Sequence, residues 1–193
     1  MPFQHYERAA LLAGKLGDSG KEAALLNSMG IMDWNRGEYS KALAHYERAC
    51  AIFREIGDPV HEGFLLNSIG ATHIKLERLE DARGYLERAA EVNRQSREFL
   101  LEGHSWALLG DAWRIAGDLE KSRTCCETSL EIRRRIGDRI GEGWMLYQLA
   151  KIHAECGQAD LARSCAKEAA VIAAECGEEK LKESCSKMML PAE

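Results

Sequence analysis

Apolar residues return along this chain at the spacing of a helix face, and no stretch alternates apolar with polar as a half-buried strand would. A longer rhythm lies over that pattern. The hexapeptide LLNSMG, Leu25 to Gly30, comes back forty residues later as LLNSIG, Leu65 to Gly70. KLGD at 15–18, EIGD at 55–58 and RIGD at 135–138 fall on the same grid, as do Glu22, Glu62, Glu102 and Glu142. HYERA begins at His5 and again at His45, and YLERA begins at Tyr85. Self-similarity at a fixed period means stacked supersecondary units, and the helical spacing inside each period predicts an all-α chain of helix pairs.

Boundaries follow from local chemistry. Asp18, Asp58, Ser96 and Asp138 are suitable N-caps for the first helix of each unit. Pro59 follows Asp58 at the first helical position, where its missing N–H costs nothing. Gly17, Gly57 and Gly137 end the preceding helices, and Gly37, Gly117 and Gly157 mark the turn within a unit. The expected organisation is one array over residues 1–193: a lone helix of the second type at 2–17, four repeats at 18–57, 58–97, 98–137 and 138–177, and a polar capping helix at 178–190. Three series of small residues, containing Gly30, Gly70, Gly110 and Ala150, then Ala42, Ala82, Ser122 and Ala162, then Ala9, Ala49, Ala89, Ser129 and Ala169, mark where helices approach closely. Gly63, Gly103 and Gly143 each cost about 1 kcal/mol relative to alanine inside a helix, which also points to close contact.

The segments SMGIMDWNRGEYSKALAHYERA (28–49) and LLGDAWRIAGDLEKS (108–122) resemble the tetratricopeptide repeat family in their order of large, small and aromatic positions. The forty-residue period exceeds the family's usual length of about thirty-four and is similar to the longer variant of rapsyn-like proteins and kinesin light chain. The family's proline after the second helix is replaced by Arg54, Arg94, Arg134 and Ala174, so the second helix is expected to run on by about one and a half turns. The resemblance implies a right-handed α-α superhelix of antiparallel helix pairs, and a non-catalytic protein-interaction scaffold that takes a peptide or amphipathic helix in its concave groove. The groove residues it implies are Asn27, Ile31, Trp34, Phe64, Asn67, Ile74, Lys75, His104, Asp111, Arg114, Trp144, Tyr147 and Lys151. Asn27 and Asn67 fit because a carboxamide both donates and accepts, as a peptide backbone requires. Lys75, Arg114 and Lys151 occupy different positions in their rows, so a ligand gripped by its carboxylates fits poorly and an apolar peptide fits better. The alternative is a regulatory module of a larger bacterial signalling or transcription-regulating protein, binding another part of the same polypeptide.

Composition narrows the remaining choices. A net charge of −5 argues against nucleic acid as a partner, and the run Arg133–Arg135 sits where cations complement a helix end. No run of eighteen apolar residues is present to span a membrane, and the N-terminus lacks the pattern of a signal peptide. The seven cysteines form no C-x-x-C pair and are expected to be reduced, buried and metal-free, in a cytoplasmic protein without cofactor. His73 and His153 share one slot of the repeat with Asp33 and Trp113, so no ligand or catalytic set recurs, and no phosphate loop or nucleophile motif appears. Phe3, Tyr6, Ala10 and Leu12 spread too widely around the first helix to face one neighbour, so self-association through that end is expected, as in a piece cut from a longer array.

Overall fold

The computed structural model describes residues 2–189 and places ten helices and no strand among them. They are α1 (Pro2–Lys15), α2 (Ser19–Asn35), α3 (Tyr39–Glu55), α4 (Pro59–Lys75), α5 (Leu79–Gln95), α6 (Phe99–Ile115), α7 (Leu119–Ile136), α8 (Arg139–Glu155), α9 (Ala159–Cys176) and α10 (Glu179–Met189). Residue 190, the expected last residue of the capping helix, lies outside the described residues. Packing divides the chain into two compact units, Met1–Leu101 and Glu102–Glu193. In the first unit α2 packs on α3 and α4 on α5, with α1 and α3 each covering the following helix; in the second, α7 covers α8, α8 packs on α9 and α10 closes on α9.

The caps do what short polar side chains do at a helix start. Asp18, Asp58 and Asp138 accept hydrogen bonds from the amides of Lys21 at 3.1 Å, His61 at 3.1 Å and Gly141 at 2.9 Å. Ser96 departs from expectation. It closes α5 as a C-cap, its hydroxyl donating to the Val92 carbonyl at 2.8 Å, and α6 starts only at Phe99. The reason is Arg97, which takes the left-handed conformation (φ 62°) that Gly17, Gly57 and Gly137 take elsewhere on the grid. Glu77 (φ 58°) does the same between α4 and α5. The extra length of the period is shared by both helices. First helices have 17 residues and second helices 17 or 18, so the lengthening is not confined to the second.

Each pair is held at one close approach. A Cβ built on Gly30 would lie 2.5 Å from the Tyr46 ring, and one on Gly70 2.5 Å from Leu86. At Gly110 the neighbour is Cys126, 3.0 Å away, and in the last repeat Ala150 stands in register with Ala166, both fully buried. The larger the side chain on the second helix, the smaller the residue facing it. The Gly63 series divides. Gly63 admits the Asn93 carboxamide, whose oxygen a Cβ would meet at 2.0 Å, and Gly143 admits Leu181 and Ile172, at 2.8 and 3.1 Å. Gly103 has ordinary room, with Ile132 at 3.5 Å, so close contact is not its reason. Around these points two cores form. One gathers Leu26, Leu43, Phe53, Leu65, Leu66 and Ile69, and the other Leu130, Met145, Leu146, Leu149, Ile172 and Leu181.

The recurring glutamates tie the helices together. Glu22 pairs with Arg48, and Glu62 Oε1 accepts from Arg54 Nε at 2.9 Å and Arg88 Nη2 at 2.6 Å. Glu142 accepts from Arg134 at 2.8 Å and Arg139 at 2.7 Å, and these guanidinium groups hold its carboxyl below the usual range against the opposing effect of burial. The Glu62 and Glu142 carboxylates are buried while their arginine partners stay half-exposed, so removing the arginines would leave a buried charge uncompensated.

Two predictions follow from this packing. Gly30→Ala should destabilise the chain by about 1–3 kcal/mol, because the buried Tyr46 ring has nowhere to move. Gly103→Ala should be neutral or stabilise by up to about 1 kcal/mol; denaturant melts of both variants check the contrast. The second concerns His73, which is buried and stacked on Tyr85 at 5.2 Å, with Asp81 Oδ2 3.8 Å from its Nδ1. Burial outweighs Asp81 and holds its pKa below 6.5. The unfolded chain therefore takes up a proton that the folded ring resists. Stability should be full above about pH 6.5 and fall as pH drops below it, and His73→Phe, which keeps the stack, should flatten that slope.

Candidate functional site

The first helices of the repeats carry the residues expected to bind a partner. In the first unit, Ile31 on α2 is 42% exposed and Phe64 on α4 is 39% exposed, both large for open apolar positions. Trp34 is half-buried, packs against the core and meets the Tyr39 ring edge-on at 5.1 Å. Ile74 is half-buried and Lys75 exposed at the end of α4.

The two asparagines differ. Asn67 is buried, and its Nδ2 donates to the Leu101 carbonyl at 3.2 Å, so its donor end joins α4 to α6 within the first unit. Its Oδ1 and that of Asn27 are buried atoms without a hydrogen-bond partner among the described residues. Asn27 itself is half-buried. Such acceptors cost free energy until something donates to them.

The second unit offers a different surface. Trp144 and Tyr147, on successive turns of α8, meet edge to face with centroids 6.0 Å apart. The Lys151 amine lies 5.7 Å from the centre of the Tyr147 ring, within cation–π range. A polar chain runs beside them. Lys151 Nζ donates to Gln148 Oε1 at 2.7 Å, and Gln148 Nε2 donates to Asp111 Oδ1 at 3.2 Å. Arg114 Nη1 donates to Glu155 Oε1 at 3.2 Å. Burial first, and the nearby Arg114 second, push the Lys151 amine down from its ordinary value. His104 is exposed on α6. Within this unit Asp111, Arg114, Tyr147, Lys151 and Trp144 are thus brought together, with Gln148 and Glu155 as connecting partners that the expected site omitted. Spacing held the signal for them: Gln148 follows Asp111 by 37 residues and Glu155 follows Arg114 by 41, about one period.

The slot shared by Asp33, His73, Trp113 and His153 is solved differently each time. Asp33 Oδ2 lies 3.4 Å from His45, His73 stacks on Tyr85, Trp113 lies under the Lys121 amine at 4.1 Å, and His153 meets Gln158 at 2.6 Å. Cys50, Cys125, Cys126 and Cys185 are buried, but Cys156 and Cys176 are exposed at the ends of α8 and α9, contrary to the expectation of burial for all seven. Among the described residues no group of three His, Cys, Asp or Glu is placed to hold a metal, and no helix is long and apolar enough to cross a membrane. On α1, Phe3 is half-buried, 5.5 Å below the Arg36 guanidinium, and Ala10 is buried, while Tyr6 and Leu12 are exposed.

Comparison with known proteins adds the lineage. Family profiles described as tetratricopeptide repeat match residues 103–175, and residues 23–56 and 65–96. No curated protein matches the chain. Among solved structures, aspartyl phosphate phosphatase F from Bacillus subtilis superposes with a TM-score of 0.87 at 13% identity, over 96% of this chain and 49% of that one. A Rap protein complexed with competence and sporulation factor superposes at 0.82 and 16% identity, over 95% of this chain and 51% of that one. A putative kinesin light chain of Podosopora anserina with nearly identical TPR-like repeats gives 0.73 at 15%, over 91% and 87%. The chain therefore spans about half the length of the first two.

The Asn67 bond predicts a stability effect separable from binding. Asn67→Ala should cost about 1–3 kcal/mol, by removing a buried hydrogen bond, while Asn27→Ala, which loses none, should cost less than half as much in the same melts.

Proposed function

Because the chain belongs to the tetratricopeptide repeat family, we propose that it is a non-catalytic interaction scaffold and that the first-helix faces of its units bind a peptide or amphipathic helix. One observation carries the reading. In the second unit Trp144, Tyr147 and Lys151 form a half-buried aromatic and cationic cluster on a first helix, its rings resting on the edge of the core and partly open to solvent. Aromatic anchors of this kind commonly dominate binding energy. The first unit supplies apolar area at Ile31, Phe64 and Trp34, with Ile74 and Lys75 at its edge. Asp111, Arg114 and His104 add polar selectivity in the second unit.

A second reading rests on the length relation to phosphatase F and the Rap protein, each about twice the span this chain covers. Here the array is the recognition part of a larger signalling protein, its first-helix face occupied by another segment of the same polypeptide. Titrating a flanking segment against the isolated array, and finding saturable binding that competes with selected peptides, favours this reading over a separate partner.

The test of the first reading is selection from a displayed peptide library on the purified chain. Selected peptides should carry apolar or aromatic anchors and lose at least about tenfold in affinity, or 1.4 kcal/mol, for Tyr147→Ala or Phe64→Ala. Glu131→Ala, on an exposed second-helix position, should leave affinity unchanged. Peptides indifferent to both first-helix substitutions would remove the reading.

A further inference from the structure

Two successive second helices pack on the first helix between them, and side chains from both must close the cleft that this leaves. Between α3 and α5 the closing residues are Cys50 and Tyr85. Cys50 is buried, and the Tyr85 ring packs against the core and stacks on His73 at 5.2 Å. Between α7 and α9, in the same register, they are Leu130, inside the core, and Cys165, packed against it. Each of these clefts is closed by one large and one small side chain. Between α1 and α3 the same two slots hold Ala10 and His45. The alanine brings no large partner, and an imidazole reaches less far than a phenol.

A cleft of about 210 Å³ remains there, shaped by α1, α2 and α3 alone. Leu26 and Met29 of α2, both buried, form its floor; Ala10 and Leu11 of α1 form one wall, and His45 and Arg48 of α3 the other. An apolar cavity of about 150 Å³ holds benzene, so this space suits a single aromatic ring with a small substituent. None of its lining residues belongs to the first-helix positions proposed to meet a peptide. Polar groups set the chemistry of the occupant. Asp33, 1% exposed, lies 3.4 Å from His45 Nε2. A carboxylate there keeps the imidazole proton on Nε2 and leaves Nδ1 as an acceptor. Arg48 is already engaged by Glu22, whereas Glu7, the remaining charged group of the lining, has no ion-pair partner among the described residues. The uncompensated charge is negative, which disfavours an anionic occupant.

We propose that the cleft between α1 and α3 binds a small neutral phenol, its ring on Leu26 and Met29 and its hydroxyl donating to His45 Nδ1. Three features of the cleft select that class. Its volume admits one ring and not a fused, substituted system. The Asp33–His45 pair presents an acceptor, which a hydroxyl satisfies and an ether does not. Glu7 meets a neutral ligand without penalty and an aromatic carboxylate as a like charge. The bound ring touches α1, α2 and α3 together, so occupancy stabilises the packing of α1 on the array.

The probe is p-cresol, titrated into the full chain and followed by the NMR signals of the leucine and methionine methyl groups. Saturable shifts are expected at Leu11, Leu26 and Met29, together with a rise in melting temperature. Its methyl ether, which cannot donate, and p-toluate, which is anionic, should each bind at least roughly fivefold more weakly, the worth of one hydrogen bond. His45→Tyr and Ala10→Leu each put into the cleft the residue that closes a matching one, as Tyr85 and Leu130 do. Each should weaken p-cresol at least about tenfold by occupying its space, and circular dichroism with melts confirms that each variant folds. Shifts that fail to saturate at the solubility limit overturn the proposal. So does undiminished binding to either folded variant, which would place the ring elsewhere. Equal affinity for all three compounds would mean apolar partition without recognition of the hydroxyl, and would overturn it as well.

Discussion

Everything in these repeats depends on how near the second helix comes to the first at the Gly30 slot. Where the second helix brings a tyrosine, the first must have glycine there; where it brings alanine, as at Ala166, the first tolerates Ala150. The pair is thus held at a separation set by one side chain and one absent side chain. Van der Waals contact falls off steeply with distance, so the slot fixes the approach of the whole seventeen-residue helix. The flanking apolar pairs, Leu26 with Met29 and Leu66 with Ile69, are buried because the backbones are that close.

A second constraint acts along the chain. A left-handed residue recurs every twenty positions, from Gly17 to Gly177, and each one reverses the direction of travel. Two of the nine are not glycine, and Glu77 and Arg97 take about 1–2 kcal/mol of backbone cost each. Their survival there means that neighbouring packing determines the turn more strongly than the turn residue does. The arginines that replace the family's proline contribute in the same sense. Arg54 and Arg134 continue the helix where proline would end it, and each reaches the glutamate of the next repeat, Glu62 and Glu142. The longer period therefore carries its own link between successive repeats.

Most of this was legible because packing slots repeat and repetition is visible in a single sequence. The grid located the helices, the aspartate caps and the Gly30 series, since each rests on a local rule or a fixed spacing. Ser96 misled because its type suits an N-cap and because Arg97 does not look like a turn residue. Gly103 misled because a series suggests one cause for all its members, while only Gly63 and Gly143 meet a neighbour closely. The pairing of the glutamates was written at a spacing of twenty-six residues, Glu22 to Arg48 and Glu62 to Arg88. The commitment of Asn67 to the Leu101 carbonyl could not be read at all, since it depends on which carbonyl a helix two elements along presents.

A second group of first-helix positions obeys the opposite rule. One slot reads Asn27, Asn67, Ala107 and Tyr147; the next reads Ile31, Ala71, Asp111 and Lys151; a third reads Trp34, Ile74, Arg114 and Ala154. Packing slots a turn away hardly change: Met29, Ile69, Leu109 and Leu149. Stability needs the second set constant, and of the first it holds only particular members, such as Asn67, which is buried, and Trp34, which rests on the core. These less constrained side chains differ in chemistry from one repeat to the next, apolar and carboxamide on α2 and α4, cationic, acidic and aromatic on α6 and α8. The two units therefore present different chemistry: apolar side chains at Ile31 and Phe64 in the first, and a polar chain through Asp111, Gln148 and Lys151 in the second.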